Sequence, residues 1–108
     1  MFSQPLSELR LSETACLFQG GERAPVSMFV TEYTDGRGPD LHVHPYPEVF
    51  YVEAGLAEFT AGDERAEVAG GHMVVVPAET PHGFKQRGEA RLRVVSVHPS
   101  PRVIQTDL

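Results

Sequence analysis

The chain has a single cysteine in 108 residues, which excludes an internal disulfide framework. Cys16 therefore reads as a small apolar side chain rather than a reactive thiol. Basic residues are also scarce: nine Lys and Arg stand against fifteen Asp and Glu, a formal net charge of −6. Nucleic acid is not an expected partner, because phosphate contacts need a basic face. Attachment to an anionic membrane surface is excluded on the same ground. Long apolar runs are missing; the longest, Met73 to Ala78, is far too short to span a bilayer. The N-terminus, Met1-Phe2-Ser3-Gln4-Pro5, has neither a basic region nor an apolar run behind it, so it does not read as a secretory signal. A cytoplasmic location is the expectation. No stretch of ten residues shows a helical period, and repeats, low-complexity tracts and linkers are absent. What is left is the balance expected of a soluble protein handling a small molecule.

A chain of this length makes one domain, long enough to bury roughly two-thirds of its unfolded surface. The β signals are dense. Val26 to Thr34 is rich in β-branched and aromatic residues. Apolar-rich segments Val49–Val52, Leu56–Thr60, Arg65–Val68 and Met73–Val76 follow, separated by Ala54-Gly55, Gly62-Asp63 and Gly70-Gly71. Short strands joined by tight glycine turns predict an antiparallel meander. Pro77 and Pro81 bracket a turn, then come His82 to Lys85, a long strand Arg91 to His98, and a last short strand within Val103 to Thr106. Many short strands at close spacing predict an all-β sandwich or barrel. Ser7 to Leu11 fits either a helical turn or an extended arm.

The chemistry concentrates in Gly36 to Gly55. His42 and His44 are two apart, so on an extended strand both imidazoles leave the same face. Pro45 and Pro47 hold the residues before them, His44 and Tyr46, in extended conformations, and Glu48 follows. Two nitrogen ligands and a carboxylate thus fall close together. Alternation places Phe50 and Val52 inward with Glu48, and Tyr51 outward.

Gly36, five residues, His42-x-His44, three residues, Glu48, six residues and Gly55 resemble the first motif of the cupin superfamily at every defining position. Gly71, Pro77, Glu79, His82 and Gln86 resemble its second motif, with Glu79 in place of the usual glycine and Gln86 in place of the usual asparagine. His72 stands where an aspartate commonly follows the first glycine. The likeness, over about Val26 to Val97, implies a small double-stranded β-helix, a jelly-roll-like antiparallel barrel. It divides the single domain, 1–108, into an N-terminal arm, 1–23, and a barrel core, 24–98. It also implies a metal held by His42, His44, Glu48 and His82.

Three imidazoles and one carboxylate suit iron, manganese, nickel, cobalt, copper or zinc. Up to two octahedral positions would stay open for water or substrate. Glu79 would sit where a positive φ is favoured, at a cost of order 1 kcal/mol. Gln86 keeps amide chemistry one carbon further out. Tyr46 and His72 are the candidates for an acid or base beyond metal-bound water. His72 and His98 each read as solvated or hydrogen-bonded strand ends rather than ligands. Met28, Phe59 and Phe84 either line the cavity or form plain core.

Small cupins implied by the resemblance include dioxygenases, isomerases and cyclases, and also non-catalytic binding or sensing modules. An anionic phosphosugar is disfavoured, because it needs Arg or Lys in the pocket. A homodimer is expected, both to cover edge strands and by likeness to small cupins, in which N-terminal strands extend a sheet across the interface.

Overall fold

The computed structural model describes residues 1–108, which form ten strands and one short 3-10 turn at Leu6–Leu9. The strands are β1 (Ala15–Gln19), β2 (Ser27–Tyr33), β3 (His42–Val43), β4 (Glu48–Ala54), β5 (Leu56–Ala61), β6 (Glu64–Ala69), β7 (His72–Val76), β8 (His82–Arg87), β9 (Leu92–His98) and β10 (Thr106–Asp107). They make two antiparallel five-stranded sheets, in the orders β1-β2-β9-β4-β7 and β10-β3-β8-β5-β6. The fold is the expected all-β double-stranded β-helix of the jelly-roll kind.

The strand positions agree with the sequence, but the meander does not. Only β5 and β6 turn back on each other as a hairpin in this region, across Gly62-Asp63. β4 pairs with β7 and β9, whereas β5 pairs with β6 and β8. The corners at Gly55 and Gly70-Gly71 therefore carry the chain between sheets. The two crossings run side by side, joined by the Gly70 amide donating to the Gly55 carbonyl at 2.9 Å. Gly55 has φ 88°, and a Cβ there would lie 2.5 Å from the Arg91 carbonyl oxygen, so only glycine fits this corner. The physical reason for the double layer is burial. A single meander would leave the apolar faces of β4 and β5 without a facing layer.

Alternation on β4 is as expected: Glu48, Phe50 and Val52 are buried, and Tyr51 faces out. The core between the sheets is Phe50, Val52, Ala57, Phe59, Val76, Phe84, Leu92 and Val94. Phe50, Phe59 and Phe84 form its aromatic centre, with Phe50–Phe59 centroids 5.1 Å apart and Phe59–Phe84 5.0 Å. Burying one such ring contributes about 1.5–3 kcal/mol.

Two segments differ from the sequence-based expectation. Ala15–Gln19, inside the expected arm, is an integral strand paired with β2 of the same chain. The last strand is only Thr106–Asp107, beside β3. Residues 103–105 instead run past His44 and Tyr46, where their backbone groups are used.

Candidate metal centre

β3 pairs with β8 through one register point, His42 opposite His82. Opposed residues share a face, so this pair sets the two histidines side by side. His44 follows on the same side of the chain, and Glu48 opens β4 in the facing sheet. All four side chains are buried, and one ligand atom from each lies within 4.8 Å of the others. The four residues expected as ligands are thus gathered at one point between the sheets.

Each histidine is held from behind. Nδ1–H of His42 donates to the Asp40 carbonyl at 2.6 Å, that of His44 to the Ile104 carbonyl at 2.7 Å, and that of His82 to the Thr80 carbonyl at 2.8 Å. A carbonyl only accepts, so Nδ1 carries the proton in all three rings and Nε2 is turned toward Glu48. Nε2 of His44 and of His82 each lie 3.0 Å from Glu48 Oε1. The His82 contact has hydrogen-bond geometry. The His44 contact does not; its Nε2 is buried without a hydrogen-bond partner. Three imidazoles and one carboxylate, all buried and with ligand atoms this close together, are the donor set of a divalent metal, so these residues fit a metal ion.

Burial by itself would raise the Glu48 carboxyl. The surrounding imidazoles of His44, His82 and His98 outweigh it and hold the group well below the usual carboxylate range. Burial pushes His42 down, reinforced by His82 and His44 nearby, so its ring is neutral at pH 7. In His44 burial acts downward, but the Glu48 carboxylate and the Ile104 carbonyl win and raise it.

The other expected residues are placed as follows. His98 is a hydrogen-bonded strand end, but it is not solvated: it is 1 % exposed, with Nε2 3.0 Å from Glu48 Oε2. The alternation Leu92, Val94, Ser96, His98 carried that signal, since all four face inward on β9. Tyr46 is bonded to His98 and to the Ile104 amide. His72 is exposed and bonded to the Ala69 carbonyl, away from the cluster.

A cavity of about 230 Å³ adjoins the cluster, reaching His42, Glu48 and His98. Its walls are largely Phe29, Phe50, Phe84 and Val94, with Thr31, Tyr33, Ser96 and Gln105 as neutral polar groups. Phe84 lines it as one alternative expected, and Phe59 packs behind in the core. Met28 does neither. Its register partner is Val97 on the outer face, and Phe29 points in instead. No Lys or Arg lines the cavity. Arg37, Lys85, Arg91 and Arg93 are engaged by surface carboxylates: Glu13 and Asp35, Asp40, Glu32, and Glu53 with Glu32 respectively.

A family model described as a cupin domain matches residues 29–98, which contain the whole cluster. The chain belongs to the cupin family. Among solved structures, this cupin is similar to the oxalate decarboxylase of Bacillus subtilis, with TM-score 0.82 and 18 % identity over 95 % of this chain and 31 % of that one. It is equally similar to a formate complex of Lactobacillus farciminis oxalate decarboxylase, with TM-score 0.81, 19 % identity and coverage of 94 % and 34 %. One Bacillus structure, at TM-score 0.84, is described for its Mn(II) centres. At this identity the likeness establishes the fold, and the chain spans only about a third of the length of those enzymes. An uncharacterised Streptomyces coelicolor protein is 40 % identical over 68 residues, 63 % of this chain and 60 % of that one.

Proposed function

We propose that this cupin binds one divalent transition metal through His42, His44, Glu48 and His82, and acts on a small, neutral, largely apolar organic molecule as a dioxygenase, isomerase or cyclase. One observation carries the metal assignment: three buried imidazoles, each with Nδ1–H fixed on a backbone carbonyl, turn Nε2 toward one carboxylate. Bound there, the metal would supply Lewis acidity toward an oxygen-bearing substrate. His42, His44, Glu48 and His82 would hold it, and their burial would keep water out on the core side. Substrate class follows from the walls. Aromatic and aliphatic side chains with three neutral hydroxyls and the Gln105 amide, and no Lys or Arg, favour a neutral guest over a dicarboxylate. Cobalt(II)-loaded protein tests this through its visible spectrum. Neutral phenols and diketones are expected to perturb the cobalt bands at lower concentration than oxalate does, and one of them to turn over with the native metal. Tighter binding of oxalate would reject the substrate class. Binding of neutral guests without turnover of any would move the protein to the binding-module alternative.

A second copy of the chain is the proposed partner. The outer face of the first sheet carries Met28, Val30, Val49, Tyr51, Met73, Val75, Val95 and Val97 by register. Val75 is 64 % and Met73 62 % exposed, on an edge strand. Light scattering at micromolar concentration is expected to give twice the chain mass, and Val75→Glu to halve it. A wild-type monomer would reject the dimer.

A further inference from the structure

His98 and Tyr46 belong to no ligand set, yet they close a ring of contacts around two of the four ligands. Nε2 of His98 faces Glu48 Oε2 at 3.0 Å, and Nδ1 of His98 meets the Tyr46 hydroxyl at 2.7 Å. The Ile104 amide donates to that hydroxyl at 3.1 Å, while the Ile104 carbonyl accepts from His44 Nδ1–H at 2.7 Å. His44 Nε2 returns to Glu48 Oε1 at 3.0 Å. The Tyr46 ring also stacks on the His44 ring, with centroids 5.1 Å apart and planes 6° from parallel.

The protons in this ring are determined by what each atom can do. The Tyr46 oxygen accepts from the Ile104 amide, so its own hydrogen is free to donate to His98 Nδ1. His98 then carries its proton on Nε2, facing the carboxylate. With the Tyr46 hydroxyl donating to it at 2.7 Å, Nδ1 is the acceptor of the ring, which leaves the proton on Nε2. The N–H direction lies outside hydrogen-bond range, so the contact is a dipole beside an anion rather than a strong hydrogen bond. His98 is therefore wired opposite to His42, His44 and His82, which carry their protons on Nδ1.

We infer that His98 and Tyr46 are positioning residues of the metal centre. His98 holds Glu48 Oε2 away from the histidine cluster so that Oε1 faces it, and Tyr46 couples that orientation to the ring of His44. The inference rests on the four-ligand reading and adds two residues that carry no metal themselves. Groups behind ligands commonly tune metal affinity by about 10–100-fold.

Two measurements test it. The first is the tautomer, read from long-range nitrogen–proton correlations of 15N-histidine-labelled protein, metal-free and zinc-loaded. His98 is expected as the Nε2–H form in both, and zinc is expected to shift the Nε2 signals of His42, His44 and His82 only. A His98 proton on Nδ1 overturns the inference, and so does zinc bound to His98. Zinc shifting no histidine sinks the four-ligand reading instead, while the metal-free spectrum still judges the ring. The second is zinc affinity by competition with a chelator. His98→Leu is expected to weaken binding about 10–100-fold and Tyr46→Phe about 10-fold, whereas His98→Gln, which restores an N–H near the same place, stays within about threefold of wild type. Equal losses in His98→Leu and His98→Gln would mean the residue only fills space, and overturn the assignment. Tyr46→Phe keeps the stacked ring, so it reports on the hydroxyl even where His98→Leu folds poorly.

Discussion

Gln86 shows how a departure from a family motif can keep its work. Its side-chain oxygen accepts from the Gly36 amide at 2.7 Å, and its nitrogen donates to the Gly88 and Ala90 carbonyls at 2.8 and 3.0 Å. The first residue of one motif is thereby tied to the last of the other, and the loop leading into His42 is fixed. Gln86→Leu keeps the volume but removes three part-buried bonds whose partners, Gly36, Gly88 and Ala90, can turn to water, so a loss of about 1–3 kcal/mol is expected in urea unfolding. A change under 0.5 kcal/mol would mean that water or a rearranged loop satisfies them as well. Glu79, the other departure, adopts the positive φ that its glycine counterpart suggests, 60°, and its amide donates to the His44 carbonyl at 2.9 Å. His42, His44 and Glu48 were legible because their spacing encodes them directly, whereas His82 was named only through the resemblance to the second cupin motif. His98 was harder to read. Its position at a strand end before a proline left a solvated and a hydrogen-bonded end equally open, and the parity of β9 is what turns it inward.

At the scale of elements, strands were legible and their partners were not. Leu56–Thr60 and Arg65–Val68 announce themselves by composition, but nothing in a glycine pair states whether the chain turns back or crosses to the facing sheet. That is decided by which apolar faces need cover, a property of the whole fold. β1 was missed because Ala15 to Phe18 is too short an apolar run to separate strand from helix. The C-terminal segment had no signal for its role, which is made by the backbone of Ile104 rather than by a side chain. Deleting Ile104–Leu108 removes the acceptor of His44 Nδ1–H and the strand beside β3. The expected result is zinc affinity lowered about 10–100-fold with cooperative unfolding retained. Undiminished affinity would show that His44 needs no backing carbonyl.

For the molecule as a whole, the proposed metal site links acidity to metal uptake through His44. Its folded pKa is raised above 6.5, so the metal-free fold gains from the protonated ring fully below pH 6.5 and loses that gain as pH rises through the raised value. Metal must displace that proton, so its own stabilisation runs the other way. His42, lowered by burial, holds no proton to displace near neutrality. Zinc affinity is therefore expected to fall about tenfold per pH unit below the His44 value and to level off above it. Affinity independent of pH between 6 and 8 would contradict the proton assignment. No Lys or Arg lines the cavity, and no helix is long and apolar enough to cross a membrane.

On the proposed reading, two distant motifs meet at the His42–His82 register point and make one metal site. Stoichiometry tests this. Protein stripped of metal and titrated with cobalt(II) or zinc is expected to bind one ion per chain, and His82→Ala, folded by circular dichroism, to bind at least about 100-fold more weakly. A folded wild type that takes up no metal, or a His82→Ala variant that binds one ion with undiminished affinity, would contradict it.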